Sequence, residues 1–330
     1  MKKYIWFSFL IFIAGKESLA IPQSGIWRSG GAANYSLLVP DSLSLFYISI
    51  QEQKVFIQLY PGFAVVKGIY WLKNSGEDTI NITAGYPFNA EYESDSDYRL
   101  NIAFFDDQYC LKVSQDGKDC EIAEEGNRTW KNIVLPHSVT KVETWLLVET
   151  NSSQIREGWT ESNENLLIYF FQSPWRPIIE KGEVYVQLMG EIEMEDLHGI
   201  SPDSLFMLDA ERKILCYKFS NLNPVNDQFN IIISYGEQLA SFYFYKEVKK
   251  SESYFTSIDQ FEKLNPATLK LKNYKAGNPF PYDSEFNNPM LLLMLLLGGI
   301  VVLIILVALT LAGVFKSKKT SGTPPLPTKQ

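Results

Sequence analysis

The fold is decided by residues 54–83, which read KVFIQLYPGFAVVKGIYWLKNSGEDTINIT. Apolar and polar residues alternate over Lys54–Tyr60, which is the period-two pattern of a half-buried β-strand. The run Phe63–Leu72 is apolar on both faces, as a central strand is, and the alternating run Thr79–Thr83 follows it. The turn residues at 74–77 separate these last two runs, so we expect them to pair as an antiparallel hairpin.

Short alternating runs continue along the chain, and the polar interval Thr150–Asn165 divides them into two sets, the second of which includes predicted strands at Glu183–Leu188, Phe229–Tyr235 and Ser241–Tyr245. Turn residues separate the runs at regular spacing, which is typical of a β-sandwich. We therefore predict an all-β fold of two antiparallel β-sandwich domains, at 21–150 and 151–248. The stretch 249–289 lacks the pattern and is predicted to form a juxtamembrane stalk, with a short helix at Ser257–Leu264.

The N-terminus has the features of a cleavable export signal. Lys2 and Lys3 precede an apolar run, and Ser18-Leu19-Ala20 offers small residues at the positions that signal peptidase reads. We therefore predict a signal peptide at 1–20. The alternative is an uncleaved anchor, but the apolar run is shorter than the roughly 20 residues that span a bilayer.

The segment 290–315 contains no charged residue and predicts a transmembrane helix. The alternative is a buried core helix, which would need protein on all its sides. Lys316, Lys318 and Lys319 follow the segment, so the positive-inside rule places the tail at 316–330 in the cytoplasm. These features predict a single-pass, integral membrane protein of the cell envelope, with a periplasmic or extracellular ectodomain.

The charge and the cysteines limit the partners and the cross-links. A net charge of −8 fits nucleic acid poorly, so no nucleic-acid partner is predicted. Cys110 and Cys120 lie nearly symmetrically about Gln115, beside the turn pair Asp116-Gly117, and this spacing predicts a disulfide across a hairpin. Cys216 is left over and is predicted to pack as a small apolar residue.

The search for chemistry finds isolated residues rather than a catalytic set. His137 follows Pro136 in a predicted loop, and His198 has only Glu195 and Asp196 beside it, without the repeated ligands of a zinc motif. Ser138 and Lys141 match an S-x-x-K pattern, but they precede a strand, in which residues three apart point to opposite faces. We predict no catalytic residue, no metal site and no cofactor.

Aromatic residues in turn-rich stretches are the feature that indicates recognition. The best defined of these loops contains Trp175 and Arg176, between Pro174 and Pro177, and we assign these two residues as a candidate contact loop. The alternative interpretation is that such rings cover the ends of their own cores.

The segment Gly62–Glu77, followed by Gly85-Tyr86-Pro87-Phe88, resembles the strand, acidic turn, strand and Gly-aromatic-Pro ending of uncharacterised bacterial envelope proteins. The resemblance implies immunoglobulin-like sandwiches in front of a C-terminal membrane anchor, and it lends no catalytic residue. The leading hypothesis is a non-enzymatic protein that binds or scaffolds a protein or a wall component. The alternative is a membrane-tethered hydrolase that acts on cell-wall glycan or peptide.

Overall fold

The structure is a computed structural model, and it describes a defined part of the chain. The described residues are 25–28, 31–34, 36–38, 44–86, 91–93, 99–101, 109–123, 128–151, 153–157, 160–171, 178–202, 205–223, 230–275, 297–301, 303–305 and 307–308. The chain divides into two compact units, one formed by Gln23–Pro281 and the other by Met1–Pro22 with Tyr282–Gln330.

The unit Gln23–Pro281 is built mainly from β-strands. In chain order they are β1 (Gly25–Arg28), β2 (Gly31–Asn34), β3 (Ser36–Leu38), β4 (Ile48–Tyr60), β5 (Phe63–Asn74), β6 (Ile80–Tyr86), β7 (Glu91–Glu93), β8 (Arg99–Asn101), β9 (Tyr109–Gln115), β10 (Lys118–Asp119), β11 (Arg128–Val134), β12 (Val139–Glu149), β13 (Ser153–Glu157), β14 (Thr160–Phe170), β15 (Ile179–Leu188), β16 (Leu197–Ser201), β17 (Met207–Asp209), β18 (Ile214–Leu222), β19 (Ile231–Glu237) and β20 (Lys272–Asn273). Two helices are described in this unit, α1 (Phe244–Val248) and α2 (Ser251–Glu262). Short 3-10 turns occur at Ser44–Tyr47, Met194–Asp196 and Pro266–Thr268.

The largest sheet has nine strands in the order β10-β9-β12-β5-β4-β15-β18-β17-β20. Its centre is the hairpin of β4 and β5, whose ends Tyr60 and Phe63 face each other across the two-residue turn Pro61-Gly62. Gly62 has φ of 85°, a conformation that glycine adopts without the penalty that a Cβ imposes. All neighbours in the sheet are antiparallel except β4 and β15, which run parallel.

Three smaller sheets complete the strand arrangement. The first has the order β1-β13-β14-β19-β16, and β2 pairs with β14 in parallel. The second has the order β11-β6-β3, and the third consists of β7 and β8. The predicted hairpin between Phe63–Leu72 and Thr79–Thr83 is wrong, because β5 pairs with β4 and β12 while β6 pairs with β11 and β3.

The main core lies on one face of the nine-stranded sheet. Side chains of β4 such as Ile50 and Ile57 share this core with Leu166 and Ile168 of β14 and with Ile82 of β6. Residues from three sheets therefore form one apolar cluster, and its members come from both sides of the interval Thr150–Asn165.

The opposite face of the nine-stranded sheet is covered by the two helices. Phe255, Ile258 and Phe261 of α2 are buried in a second cluster. The sheet contributes Phe56 and Ile69 to the same cluster. Because both faces are covered, β5 is apolar on both sides, as its sequence predicts.

The predicted pair of immunoglobulin-like sandwiches is wrong. The parallel pairing of β4 with β15 joins the first and second halves of the chain within one mixed sheet, so the strands do not separate into two antiparallel sandwiches. Periodicity identifies which face of a strand is buried, but it carries no information about which strand lies beside it. The predicted short helix does exist, but it is α2, which starts at Ser251 instead of Ser257.

Within the described residues, no helix combines the length and the hydropathy needed to cross a membrane. The helical residues described in the predicted membrane segment lie between 297 and 308. This finding contradicts the transmembrane helix predicted at 290–315, and it corrects the single-pass envelope localisation and the integral membrane partnership that were predicted with it.

The predicted disulfide between Cys110 and Cys120 is also wrong, since none of the three cysteines is in a disulfide. The hairpin turn is Asp116-Gly117, so Gln115 pairs with Lys118, and the Cys120 N–H donates to the carbonyl oxygen of Val113. Cys120 therefore lies opposite Val113 instead of Cys110. Cys120 also packs against the main core, whereas Cys110 packs against the helix-covered cluster on the other face of the sheet.

Candidate functional site

The candidate contact loop with Trp175 and Arg176 lies outside the described residues. The first described residue after it is Ile178, whose carbonyl oxygen accepts a hydrogen bond from the Ile50 N–H at 3.3 Å. Ile178 is 56% exposed, whereas Ile179 is fully buried in the main core. The chain thus returns to the sheet beside the start of β4.

Four other exposed apolar residues lie at this end of the sheet. Phe46 and Tyr47 belong to the 3-10 turn before β4, and they are 83% and 53% exposed. Leu135 and Val139, 58% and 47% exposed, flank the connection from β11 to β12. Together with Ile178, these residues define what we name the tip surface.

Backbone hydrogen bonds connect the segments that carry the tip surface. The Ser75 N–H donates to the Tyr47 carbonyl oxygen at 2.8 Å, and the Asn74 N–H donates to the Ser138 carbonyl oxygen at 3.0 Å. The buried Asn74 side chain adds bonds to the carbonyl oxygens of Asp78 and Val134. The turn with Phe46 and Tyr47 is therefore anchored to the β5–β6 connection, which is in turn bonded to the β11–β12 connection, although its aromatic side chains face solvent.

Sequence reasoning missed Phe46 and Tyr47. Their signal is weak, because two adjacent aromatic residues in front of an alternating strand read as part of that strand. Their exposure follows from the 3-10 turn, which takes Phe46 and Tyr47 out of the strand pattern that places Ile48 and Ile50 in the core.

The predicted loop histidine is at the rim of the tip surface. His137 Nε2 lies 3.1 Å from Glu77 Oε2, and both side chains are exposed. The Ser138 hydroxyl donates to the Leu135 carbonyl oxygen, whereas Lys141 pairs with Glu143 at 3.0 Å. Ser138 and Lys141 thus have separate partners, as expected for residues three apart in extended chain.

His198 takes part in a cluster with a serine and a carboxylate. Its Nδ1 lies 3.2 Å from Glu164 Oε2, and the Ser234 hydroxyl donates a hydrogen bond to the same oxygen. In a nucleophilic triad the histidine stands between the hydroxyl and the carboxylate, so that it can accept the hydroxyl proton. Here the carboxylate stands in the middle, and the cluster joins β14, β16 and β19.

The acidic runs do not form a metal site among the described residues, where no group of three or more potential ligands is found. Glu193 accepts from Lys213 at 2.7 Å, and the Asp196 side chain accepts from the Glu193 N–H. These carboxylates cap the 3-10 turn Met194–Asp196. His198 contacts Glu164 instead of these carboxylates.

A buried lysine forms the densest charged cluster. Lys67 of β5 is 3% exposed, and its Nζ lies 2.6 Å from Asp259 Oδ1, 2.5 Å from Glu262 Oε2 and 3.4 Å from Glu143 Oε1. The ammonium group also lies 4.5 Å from the centre of the Trp145 ring, and Trp145 Nε1 donates to Asp259 Oδ1 at 2.8 Å. We name these five residues the lysine clamp.

The electrostatics of the lysine clamp favour a structural role. Burial on its own lowers the pKa of Lys67, but hydrogen bonds and charge attraction from Asp259 and Glu262 outweigh it and raise the pKa. A nucleophilic lysine needs a lowered pKa, so that its amine is neutral near pH 7. Lys67 instead stays charged and holds α2 on the sheet.

No model of a known protein family and no curated protein sequence matches this chain. Solved structures with similar chain paths include a Legionella pneumophila protein described as nutrient-binding, with 10% identity and a TM-score of 0.41 over 74% of this chain and 81% of that chain. An M1 zinc metallopeptidase from Deinococcus radiodurans has 8% identity and a TM-score of 0.31, over 57% of this chain and 42% of its own. Yeast LTA4 hydrolase has 9% identity and a TM-score of 0.35, over 68% and 32%. These similarities are too low to carry an argument about function.

Proposed function

We propose that this protein acts by binding another protein, that the tip surface makes the contact, and that the chain carries out no catalysis itself. The observation that carries the proposal is the 83% exposure of Phe46 in a turn anchored by backbone hydrogen bonds. A backbone anchored in this way has little conformational freedom to lose on binding, and exposed aromatic rings supply much of the energy of protein interfaces.

The composition of the tip surface supports a protein partner. Its centre carries two aromatic and three aliphatic side chains, and the exposed pair Glu77 and His137 lies at its edge. An apolar centre with a polar rim is the usual arrangement of a protein contact surface. A wall polymer is rich in hydroxyl groups and would bind better to a polar groove.

The chemistry of the polar clusters supports the non-enzymatic part of the proposal. Ser234 and His198 share the Glu164 carboxylate, so neither is placed to activate the other. Lys67 is held in the charged form by its carboxylate partners. Each of these clusters fastens separate elements of the fold together.

The test compares two pairs of exposed aromatic residues. The full-length protein carrying Phe46→Ala and Tyr47→Ala is compared with one carrying Tyr243→Ala and Tyr245→Ala, which removes exposed rings near α1. We expect the Phe46→Ala, Tyr47→Ala variant to co-purify about tenfold less partner protein than the natural protein does, because the loss of interface aromatic residues has effects of this size. The second pair should leave recovery unchanged.

Three outcomes contradict the proposal. Equal recovery with both double variants would show that the tip surface is not the contact. Capture of wall polymer without any protein would replace the proposed partner class. Hydrolysis of wall glycan or peptide by the purified protein would contradict the non-enzymatic part. Matching thermal unfolding of both variants is the control for folding.

A further inference from the structure

A cleft of about 630 Å³ lies between two sheet edges, away from the five residues of the tip surface. One wall is the end of the β9–β10 hairpin with the segment 120–123 that follows it, and the other is β11. The lining includes Gln115, Asp119, Glu121, Ala123 and Lys131. The cleft is thus bounded by the backbone of an edge strand.

The edge of β11 away from β6 presents the N–H and carbonyl groups of every second residue, and Thr129 and Lys131 on this edge line the cleft. The Thr129 carbonyl oxygen accepts from the Ala123 N–H at 2.8 Å, on the side away from β6. The Ile133 N–H and carbonyl oxygen are also used on this side. Because peptide groups alternate in direction along a strand, those of Lys131 face the same way, toward the cleft.

The partner of Ile133 is a side-chain amide in place of a strand. Gln115 Oε1 accepts from the Ile133 N–H at 3.1 Å, and Gln115 Nε2 donates to the Ile133 carbonyl oxygen at 2.8 Å. The side-chain amide, with one acceptor and one donor so placed, makes the same two bonds that the N–H and C=O of one residue in a neighbouring antiparallel strand make. This edge is therefore already complementary to a peptide backbone.

The wall opposite Lys131 carries exposed acidic side chains. Asp119 and Glu121 both line the cleft and both are exposed. The lining also includes Asp116, Lys118 and Lys131, so three carboxylates face two ammonium groups in the cleft. An extended chain that pairs with β11 places alternate side chains on the two faces of the sheet, so a lysine or arginine on the face of Asp119 and Glu121 meets two carboxylates.

We propose that this cleft binds a short extended peptide segment of another protein, with a basic side chain toward Asp119 and Glu121. The backbone of the peptide pairs with Lys131 and replaces the Gln115 amide at Ile133. The hydrogen bond from the Ala123 N–H to the Thr129 carbonyl oxygen is retained. The inference goes beyond the proposed function, because it concerns a different surface and holds for a peptide alone.

The probe for the test is a fluorescein-labelled hexapeptide of alternating valine and lysine, measured by fluorescence anisotropy with the full-length protein. We expect saturable binding, and a loss of affinity of about tenfold or more when the backbone amides that pair with β11 are N-methylated, since methylation removes the donors of these hydrogen bonds. The same peptide with glutamate in place of lysine should bind more weakly.

Two substitutions of one residue provide the matched variants. Lys131→Pro removes the N–H that faces the cleft, a position where an edge strand accepts proline, whereas Lys131→Ala keeps this N–H. We expect only the proline variant to lose binding, and Gln115→Ala to bind at least as tightly as the natural protein.

Absence of saturable binding, or equal binding of the N-methylated peptide, overturns the inference, and neither result depends on a variant that folds. Equal affinity of the two Lys131 variants also contradicts it. None of these measurements involves Phe46 or Tyr47, so the inference and the proposed function fail separately.

Discussion

Lys67 and Tyr235 are polar residues that fasten elements from positions inside apolar clusters. Lys67 lies in the run Phe63–Leu72, which the sequence pattern alone assigns to a buried strand. Tyr235 is fully buried, and its hydroxyl lies 2.7 Å from Thr150 Oγ1 and within 3.2 Å of the carbonyl oxygens of Tyr60 and Phe63. The sequence pattern places both residues in predicted strands, but it does not identify their partners, because these come from distant segments.

Lys67→Met is expected to lower the free energy of unfolding by about 2–4 kcal/mol, since it leaves the carboxylates of Asp259 and Glu262 close together without their cation, whereas Glu143 keeps Lys141. The matched control is Lys218→Met, which breaks the more exposed pair with Glu183 and should change stability by about 1 kcal/mol or less. Urea unfolding followed by circular dichroism measures both values. Equal losses of stability in the two variants would contradict the structural role of the lysine clamp.

Tyr235 predicts a loss of stability at alkaline pH. Burial raises its pKa above the ordinary value of 10.0, an effect that the Thr150 hydrogen bond only partly offsets. The unfolded chain therefore releases this proton first, so the contribution is complete below about pH 10 and is lost as pH rises above it. Tyr235→Phe should lower stability by about 1–3 kcal/mol at pH 7 and reduce the alkaline decline. The control is Tyr243→Phe, which replaces an exposed tyrosine and keeps Tyr235. If stability falls as steeply at alkaline pH in Tyr235→Phe as in this control, the assignment to Tyr235 is contradicted.

At the scale of elements, alternation located many strands but not their neighbours. The predicted strands at Lys54–Tyr60 and Glu183–Leu188 are confirmed, and they lie within β4 and β15. The predicted strand at Ser241–Tyr245 is wrong, since the chain there enters α1. Short apolar runs of this kind fit a strand and a buried helix equally well.

The β9–β10 hairpin shows how a small error in the turn changes a chemical prediction. Both Asp116 and Gly117 have positive φ, as a two-residue hairpin turn requires, which places the centre between them instead of at Gln115. We therefore expect all three cysteines to react with a thiol reagent in denatured, unreduced protein. Recovery of a single reactive thiol would indicate a disulfide and contradict this register.

At the scale of the whole molecule, the unit Gln23–Pro281 depends on strands contributed by both halves of the chain. The parallel pair of β4 and β15 lies in the middle of the nine-stranded sheet and is buried on both faces. A fragment that ends at residue 150 leaves the apolar strand β4 at an exposed edge, and a fragment that begins at 151 does the same for β15.

We expect neither 23–150 nor 151–281 to unfold cooperatively on its own, whereas 23–281 should unfold in one transition. Urea titrations of the three proteins, followed by circular dichroism, test this. A cooperative transition of either half at the midpoint of the whole would contradict a shared sheet.

The central claim, that the tip surface contacts another protein, is tested most directly by site-specific photo-crosslinking in cells of the source organism. The photoreactive residue p-benzoylphenylalanine is placed at Tyr47 and, as the control, at Tyr245, another exposed tyrosine. The account predicts a discrete protein adduct from Tyr47 that disappears when Phe46→Ala is added, and no such adduct from Tyr245. Adducts of equal yield from both positions, or none from Tyr47, would contradict it.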